Sequence, residues 1–307
     1  MYLDITTDLK KAKRGAIAKA ISIFENDEKE SRKLIKKIFK TSGKSVVIGI
    51  TGPAGAGKSS LIDKISIKLK KSGLKPAVLA IDPTSHISGG AILGDRVRMT
   101  ESTDSGTYIR SIASRGATGA ISRSIRNSIR VLEYAGFDPI IIESVGAGQT
   151  EIDSSNVADI IVVVFSPHTA DSIQTIKSAI TEIGDIYLVH KSDLEGASQL
   201  FQSVQDFIGT VEKKPLILKV SSKTEKGVPE FITGLKKIIV KRRKEKKLTE
   251  KEKLAKELDD IILNNIKQKV ATVLHSNKSY SGYLKKVQDR KMDPFEAADK
   301  ISSGMIK

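Results

Sequence analysis

The feature that most constrains this chain is a glycine-rich segment between an apolar run and the start of a helical pattern. Residues 45–51 read SVVIGIT, which is the composition of a buried parallel strand. Residues 52–59 read GPAGAGKS and match the pattern G-x-x-x-x-G-K-S, and a helical pattern opens at Leu61. In this context backbone N–H groups converge on an anion at a helix N-terminus. The sequence therefore predicts a loop that binds the phosphates of a nucleoside triphosphate.

The residue types in this loop have separate roles. The glycines let backbone N–H groups converge without obstruction by a Cβ atom. Lys58 is expected to reach the β and γ phosphates, and the Ser59 hydroxyl is expected to bind Mg²⁺. The residues predicted to bind the nucleotide in this segment are Gly52, Ala54, Gly55, Ala56, Gly57, Lys58, Ser59 and Ser60.

The chain is basic, with 52 Lys and Arg against 36 Asp and Glu and a formal net charge of +16. An acidic partner such as nucleic acid is one explanation, and a lysine-rich surface with much of the excess in helical arms is the other. No RNA-binding motif or aromatic cluster accompanies the charge, so we favour the second explanation and expect no nucleic acid partner. The lack of Cys excludes disulfides, thiolate metal sites and Cys nucleophiles. We expect a cytoplasmic protein, because the first residues do not form a signal peptide and the apolar runs are too short to span a membrane.

Apolar runs alternate with helical patterns, which predicts an α/β fold of the P-loop NTPase class with a mostly parallel central sheet flanked by helices. We predict a nucleotide domain over residues 43–240. A helical extension over residues 1–42, with a break near Asn26, precedes it, and a second helical extension over residues 241–307 follows it. From residue 228 the chain is predicted to be mostly helical, with a second helix beginning near 252. The predicted strands are 45–51, 77–81, 139–143, 160–165, 186–189 and 216–220.

Acidic residues stand at the carboxyl ends of two predicted strands. Asp82 follows strand 77–81 and Glu143 ends strand 139–143, which places both at the sheet edge that carries the phosphate loop, where they can bind Mg²⁺ or its water. Glu143 runs into a glycine-rich segment that ends at Gln149 and resembles the segment that senses a γ-phosphate in NTPases. The other interpretation of Glu143 is a solvated loop carboxylate.

A second nucleotide motif follows strand 186–189, where the chain reads HKSD. A strand followed by x-K-x-D is typical of guanine recognition, because the Asp carboxylate accepts from guanine N1–H and the 2-amino group. Lys191 is expected to lie along the base, and Asp193 is the predicted acceptor. After strand 216–220, a backbone N–H in the segment that begins Ser221-Ser222 can contact guanine O6. The usual first residue of the motif is Asn, and here it is His190.

Taken together, these loops resemble those of the MeaB/ArgK/MMAA family of P-loop GTPases. The resemblance covers roughly residues 10–239 and rests on the segments GPAGAGKS at 52–59, DPTS at 82–85, GGAILGDR at 89–96 and ESVGAGQTE at 143–151. It implies a homodimeric G-protein chaperone that binds GTP or GDP with Mg²⁺ and serves an adenosylcobalamin-dependent acyl-CoA mutase, chiefly methylmalonyl-CoA mutase. Members gate cofactor delivery and protect the mutase from inactivation, and the flanking helices contribute to the dimer.

The resemblance also implies roles for individual residues. The Mg²⁺ environment would comprise Ser59, Asp82, Asp95 and Glu143, and Gly146 to Gln149 would be the γ-phosphate switch. Residues 166–177 match the family's additional switch, which couples partner binding to hydrolysis, although PHTAD replaces its usual Pro-Gly-x-Gly-Asp-like start. The residues of that switch are Asp171, Gln174 and Lys177, and the expected catalytic residues are Lys58, Asp95, Glu143, Gln149 and Lys177.

The change from Asn to His190 has two expected consequences. An imidazole N–H is able to donate to guanine N7, whereas the tie that Asn makes to the phosphate loop is expected to be lost. We therefore expect a guanine preference that persists in weaker form. None of the residues is an obvious general base, so we expect slow intrinsic hydrolysis that accelerates when the mutase orders the switch loops.

Three other functions are alternatives to this one. A nickel metallochaperone GTPase shares the fold class, but such proteins carry Cys and His metal motifs that this sequence lacks. A basic RNA- or ribosome-associated GTPase is suggested by the net charge alone. An amino-acid-transport kinase would need phosphotransfer to a protein acceptor, for which the residues give no indication.

Overall fold

The computed structural model describes residues 5–83, 99–114, 120–144, 157–167, 184–208, 215–276 and 278–303. The strands are β1 Val47–Thr51, β2 Ala77–Pro83, β3 Tyr108–Ser114, β4 Ile140–Glu143, β5 Ile160–Phe165, β6 Ile186–Val189 and β7 Leu216–Lys219. The helices are α1 Ile5–Lys10, α2 Arg14–Asn26, α3 Glu28–Ile38, α4 Lys58–Lys71, α5 Thr100–Asp104, α6 Ala120–Tyr134, α7 Ala197–Ile208, α8 Val228–Ser276, α9 Lys278–Gln288 and α10 Pro294–Ser303.

The seven strands form one sheet in the order β3-β2-β4-β1-β5-β6-β7, and every neighbouring pair is parallel. This confirms the predicted α/β fold with a parallel sheet. Strand β1 is central, and β4 and β5 lie on either side of it. Because all carboxyl ends of a parallel sheet share one edge, the loops that follow β1, β2, β4, β5, β6 and β7 begin at the same edge.

Strands of the sheet are buried on both faces, as parallel strands usually are. In β1, Ile48 and Ile50 pack into the core that contains Leu61 and Ile65 of α4, whereas Val47 packs into the core of α2 and α6. A third cluster joins β5 and β6 to α7. The alternation of side chains along β1 thus binds helices to both faces, and it fixes α4 behind the phosphate loop.

The sequence analysis missed one strand, β3. Its residues Arg110 and Ser111 interrupt the apolar run. Strand β3 lies at the edge of the sheet, and of residues 108–112, whose burial is described, Tyr108, Ile109 and Ile112 are buried. Arg110 instead donates to Glu25 of α2 at 3.0 Å. An edge strand with such polar positions lacks the continuous apolar run that identifies a central strand.

The prediction of a second helix beginning near residue 252 was wrong. Helix α8 is continuous over Val228–Ser276 and contains 49 residues. Residues 235–276 contain neither Gly nor Pro, and side-chain pairs such as Arg242 and Glu245 compensate part of its charge along the helix. The break near Asn26 is confirmed, since α2 ends there and the Asp27 side chain caps α3 by accepting from Glu30 N at 3.0 Å.

The chain forms two compact units, Met1–Glu250 and Lys251–Lys307. The functional division predicted at residues 42 and 240 stays a prediction. None of the described helices is both long enough and apolar enough to cross a membrane.

Several basic residues of α8 contact the amino edge of the sheet, opposite the phosphate loop. Asp138, Asp159 and Asp185 stand just before β4, β5 and β6 and accept from the backbone N–H groups of Val46, Val47 and Ile161 at 2.9–3.0 Å. The same aspartates pair with Arg243, Lys246 and Arg242 of α8. Part of the positive charge of α8 therefore compensates carboxylates that hold the strands in register.

Candidate functional site

The phosphate loop joins the carboxyl end of β1 to the first residue of α4. Gly52, Gly55 and Gly57 have φ angles of +145°, +78° and +87°, which L side chains rarely adopt. At Gly52, a Cβ atom would lie 2.1 Å from the carbonyl oxygen of Val164 in β5. The loop thus takes a conformation that requires glycine, and it contacts the neighbouring strand directly.

The ammonium group of Lys58 is held inside this loop. Lys58 Nζ donates to the carbonyl oxygens of Gly52 at 2.7 Å and Pro53 at 3.1 Å, and the residue is 6% exposed. The charge is therefore positioned over the loop where β and γ phosphates are predicted to bind. A phosphate oxygen offers a stronger partner for the ammonium group than a neutral carbonyl does.

Ser59 and Glu143, two of the predicted Mg²⁺ ligands, are in direct contact. The Ser59 hydroxyl donates to Glu143 Oε1 at 2.7 Å, and Glu143 is 6% exposed at the end of β4. In the register of the sheet, Glu143 lies opposite Ile50 of β1 and Ala80 of β2. Asp82 follows Ala80 by two residues, so the backbone brings a third predicted ligand to the same edge.

These oxygen donors suit Mg²⁺, which prefers carboxylate, hydroxyl and water oxygens. The described part of the chain contains no group of three or more His, Asp or Glu side chains that could hold a metal ion. A site built on Ser59 and Glu143 would therefore take its other ligands from water, from phosphate oxygens or from residues beyond that part, as Mg²⁺ sites on nucleotides usually do.

The predicted guanine-recognition residues lie beside the phosphate loop. Asp193 Oδ1 accepts from the Ser221 hydroxyl at 2.6 Å, and this hydrogen bond is the main reason that the pKa of Asp193 is lowered. Lys191 Nζ donates to the carbonyl oxygen of Gly55 at 2.8 Å. The Asp193 carboxylate is therefore oriented and ionised at neutral pH, as acceptance from guanine N–H groups requires.

Sequence reasoning gave Ser221 only a backbone role and missed the hydrogen bond from its hydroxyl. The same hydroxyl accepts from the backbone N–H of Thr224 at 3.2 Å, so Ser221 connects the loop after β7 to Asp193. The sequence signal for the contact between Ser221 and Asp193 is a Ser placed just after β7, the strand that pairs with β6.

His190 keeps a tie to the phosphate loop, contrary to the expectation that replacing Asn would remove it. His190 Nδ1 lies 2.8 Å from the carbonyl oxygen of Ala56, and Nε2 lies 2.8 Å from the Ser222 hydroxyl. Burial lowers the pKa of the imidazole, which is 3% exposed. The imidazole ring reaches the Ala56 carbonyl oxygen with Nδ1. Its second nitrogen, Nε2, contacts Ser222 in the loop after β7.

Several predicted residues lie outside the part of the chain that the structure describes. They remain predictions and comprise Asp95, Gly146, Gln149, Asp171, Gln174 and Lys177.

Comparisons with known proteins identify the family. The model of the family described as methylmalonyl-CoA mutase-associated GTPase MeaB matches residues 17–275. The chain belongs to the MeaB family of GTPases. The resemblance inferred from the four loop segments is thereby confirmed.

Relatives of known sequence agree with this assignment to the MeaB family. A putative GTPase of Pyrococcus horikoshii is 38% identical over 97% of this chain and 96% of its own length. The methylmalonic aciduria type A homolog of Mus musculus, a mitochondrial protein, is 30% identical over 73% of this chain and 60% of its own length. The crystal structure of an LAO/AO transport system kinase shares the fold, with a TM-score of 0.66, 20% identity and coverage of 99% of this chain and 97% of that one.

Proposed function

We propose that this protein binds GTP with Mg²⁺, hydrolyses it slowly, and serves as a chaperone of an adenosylcobalamin-dependent acyl-CoA mutase, most specifically methylmalonyl-CoA mutase. The observation that carries the nucleotide part is the contact of Ser59 with Glu143 at 2.7 Å, beside a phosphate loop that already holds Lys58. The partner is supported by membership in a family described as mutase-associated.

Phosphoryl transfer to water depends on positioning and charge compensation more than on covalent chemistry. In the proposed site, the backbone N–H groups of residues 54–59 and the Lys58 ammonium bind the β and γ phosphates. Ser59, Asp82, Asp95 and Glu143 would hold Mg²⁺, which would supply compensation of the negative charge on the phosphates. Asp193 accepts from the guanine N1–H and 2-amino groups, so the site prefers guanine to adenine.

Slow hydrolysis in the absence of a partner follows from the same arrangement. Glu143, the carboxylate at the end of β4, already accepts a hydrogen bond from the Ser59 hydroxyl of the phosphate loop. A carboxylate engaged in this way is better suited to orient a metal ligand than to remove a proton from water. We propose that the mutase accelerates turnover by ordering the switch residues Gln149, Asp171, Gln174 and Lys177.

The test of this function is GTP turnover measured with and without a purified adenosylcobalamin-dependent mutase of the same organism. We expect slow turnover alone, a severalfold increase with the mutase, and a stable complex of the two proteins. If GTP is hydrolysed but the mutase neither binds nor changes the rate, the chaperone role is wrong and the GTPase remains. Absence of any GTP binding at neutral pH would overturn the nucleotide part as well.

A homodimer is part of this proposal, and the second unit of the chain offers a surface for it. Within α8, large apolar side chains recur every four residues and are exposed, with Leu258 at 57% and Ile266 at 52%. The stripe comprises Leu254, Leu258, Ile262, Ile266 and Val270. An exposed apolar stripe on a helix is typical of an interface between proteins.

We expect light scattering to give twice the mass of one chain. The double substitution Leu258→Lys with Ile266→Lys should produce a monomer, because it places two charges on the apolar stripe. Lys267→Glu, which is exposed on the same helix but about 100° around it from Ile266, is the matched control and should leave the dimer intact. A wild-type protein that is monomeric at micromolar concentration would contradict the proposal.

A further inference from the structure

His190 connects the phosphate loop to both segments of the predicted guanine pocket. It follows β6 directly, and its backbone N–H donates to the carbonyl oxygen of Phe165 at 2.7 Å. Its ring contacts Ala56 of the phosphate loop and Ser222 of the loop after β7. These residues are 134 and 32 positions away in the sequence, so one side chain joins three separate segments.

The partners of the ring determine where its hydrogen lies. The Ala56 carbonyl oxygen can only accept, so Nδ1 must carry the hydrogen and donate to it at 2.8 Å. The backbone N–H of Ser222 can only donate, and it points to Nε2 at 3.3 Å, beside the Ser222 hydroxyl at 2.8 Å. Nε2 must therefore keep its lone pair, and the imidazole is neutral. The single ring N–H is used by Ala56, which leaves none for guanine N7.

The ring also packs against Gly57, the residue that precedes α4. A Cβ atom at Gly57 would lie 2.5 Å from Nδ1 and Cε1 of His190. Gly57 itself has a φ angle of +87°, so both the backbone and the neighbouring ring require glycine there. The imidazole therefore contacts the part of the phosphate loop whose backbone N–H groups are predicted to bind phosphate.

We propose that His190 is a positioning residue, which holds the phosphate loop and the loops after β6 and β7 in the geometry that binds a guanine nucleotide and does not itself contact the nucleotide. This inference rests on the proposed GTP binding. It assigns to a histidine, through a defined tautomer, the connection for which the usual motif uses Asn. Lys191, whose ammonium contacts Gly55, adds a second connection between the same loops.

The contacts of His190 should depend on pH, because protonation of Nε2 would place an N–H donor opposite the Ser222 N–H donor. The charged residues on the joined segments are Lys58 of the phosphate loop, Lys191, Asp193 and Glu195 after β6, and Lys223, Glu225 and Lys226 after β7. Burial lowers the pKa of His190 from its ordinary value of 6.5, Lys191 lowers it further, and Ala56 and Asp193 act in the opposite direction. The contacts of the neutral His190 ring with Ala56 and Ser222 are therefore fully favoured above pH 6.5. They weaken as the pH falls from 6.5 towards the lowered pKa of His190.

The tautomer can be tested directly by NMR of the imidazole nitrogens, because the chain has only four His residues. We expect one histidine in the Nδ1–H form that stays neutral at pH 6.5 and is missing from the spectrum of His190→Asn. If the signal that disappears in His190→Asn comes from an imidazole with an ordinary pKa near 6.5, or from the Nε2–H form, the proposal is wrong. This readout depends neither on nucleotide binding nor on His190→Ala, so it still decides if His190→Ala fails to fold.

The effect on binding is tested with GDP as the probe, from pH 8 to pH 5.5. At pH 7.5 we expect His190→Ala to bind GDP about tenfold more weakly, the loss that corresponds to one or two hydrogen bonds. His190→Asn should recover part of that affinity. The ratio of wild-type affinity to that of His190→Asn should fall below pH 6.5, and titration of GDP cancels in this ratio because both proteins bind the same ligand.

The outcomes separate this inference from the proposed function. A wild-type protein that binds no guanine nucleotide at pH 8 contradicts the proposed function, and the NMR experiment then still tests His190. Normal GDP binding by His190→Ala, or a ratio that is constant over the pH range, contradicts the positioning role and leaves the GTPase intact.

Discussion

Lys58→Ala is expected to reduce GTP turnover by about 10²- to 10³-fold, the usual effect of removing a group that stabilises charge in a transition state. Lys58 is the residue whose ammonium the structure places over the phosphate loop, with hydrogen bonds to Gly52 and Pro53. In the bound state these bonds would be exchanged for bonds to the β and γ phosphates. The alanine variant has no charge to offer at that position, so both nucleotide affinity and the chemical step should suffer.

The control for this substitution is Lys71→Ala in the last turn of the same helix. Lys71 is exposed and lies at the opposite end of α4 from the loop, so its removal should change turnover by less than about twofold. Thermal unfolding of both variants should be measured alongside, since Lys58 is buried and its loss also removes two hydrogen bonds. A folded Lys58→Ala protein with wild-type turnover would show that the phosphate loop is not the site of hydrolysis.

The sequence predicts the features of this fold that depend on residues close together in the chain, and it misses those that depend on residues far apart. The central strands were predicted because a strand buried on both faces is a continuous apolar run, as in Ile140–Glu143 and Ile160–Phe165. The edge strand Tyr108–Ser114 was missed because its polar residues face partners that only the fold supplies. The continuity of α8 was missed because a densely charged segment suggests a boundary between helices, although residues 235–276 contain neither Gly nor Pro.

The site shows the same limit. The glycine pattern of residues 52–59 predicted the phosphate loop, since the motif and the local backbone are contiguous in the sequence. The contact of Ser59 with Glu143 joins residues 84 positions apart, and only the parallel pairing of β1 with β4 makes it close. The connection of His190 to Ala56 could not be predicted from the motif, because Asn at that position would have suggested it and His did not.

Gly52→Ala is expected to lower the stability of the first unit by about 3 to 5 kcal/mol, through backbone strain together with overpacking. The new Cβ atom would lie 2.1 Å from the Val164 carbonyl oxygen and 3.0 Å from its carbonyl carbon. These atoms cannot move away easily, because β5 is hydrogen-bonded to β1 on one side and to β6 on the other. The φ angle of +145° at Gly52 adds a strain that any L side chain would feel.

Thermal and denaturant unfolding monitored by circular dichroism measures this effect, with Gly15→Ala as the matched control. Gly15 lies in the first turn of α2, and a Cβ atom there would meet nothing within 4 Å. The same substitution at Gly15 should therefore be neutral or stabilise the protein by up to about 1 kcal/mol, because Ala restricts the unfolded chain and favours the helix. The two variants add the same methyl group, so the difference between them isolates the close approach of the phosphate loop to β5. Equal unfolding midpoints for the two would mean that the loop does not lie against Val164, and the position of Lys58 over the loop would lose its structural support.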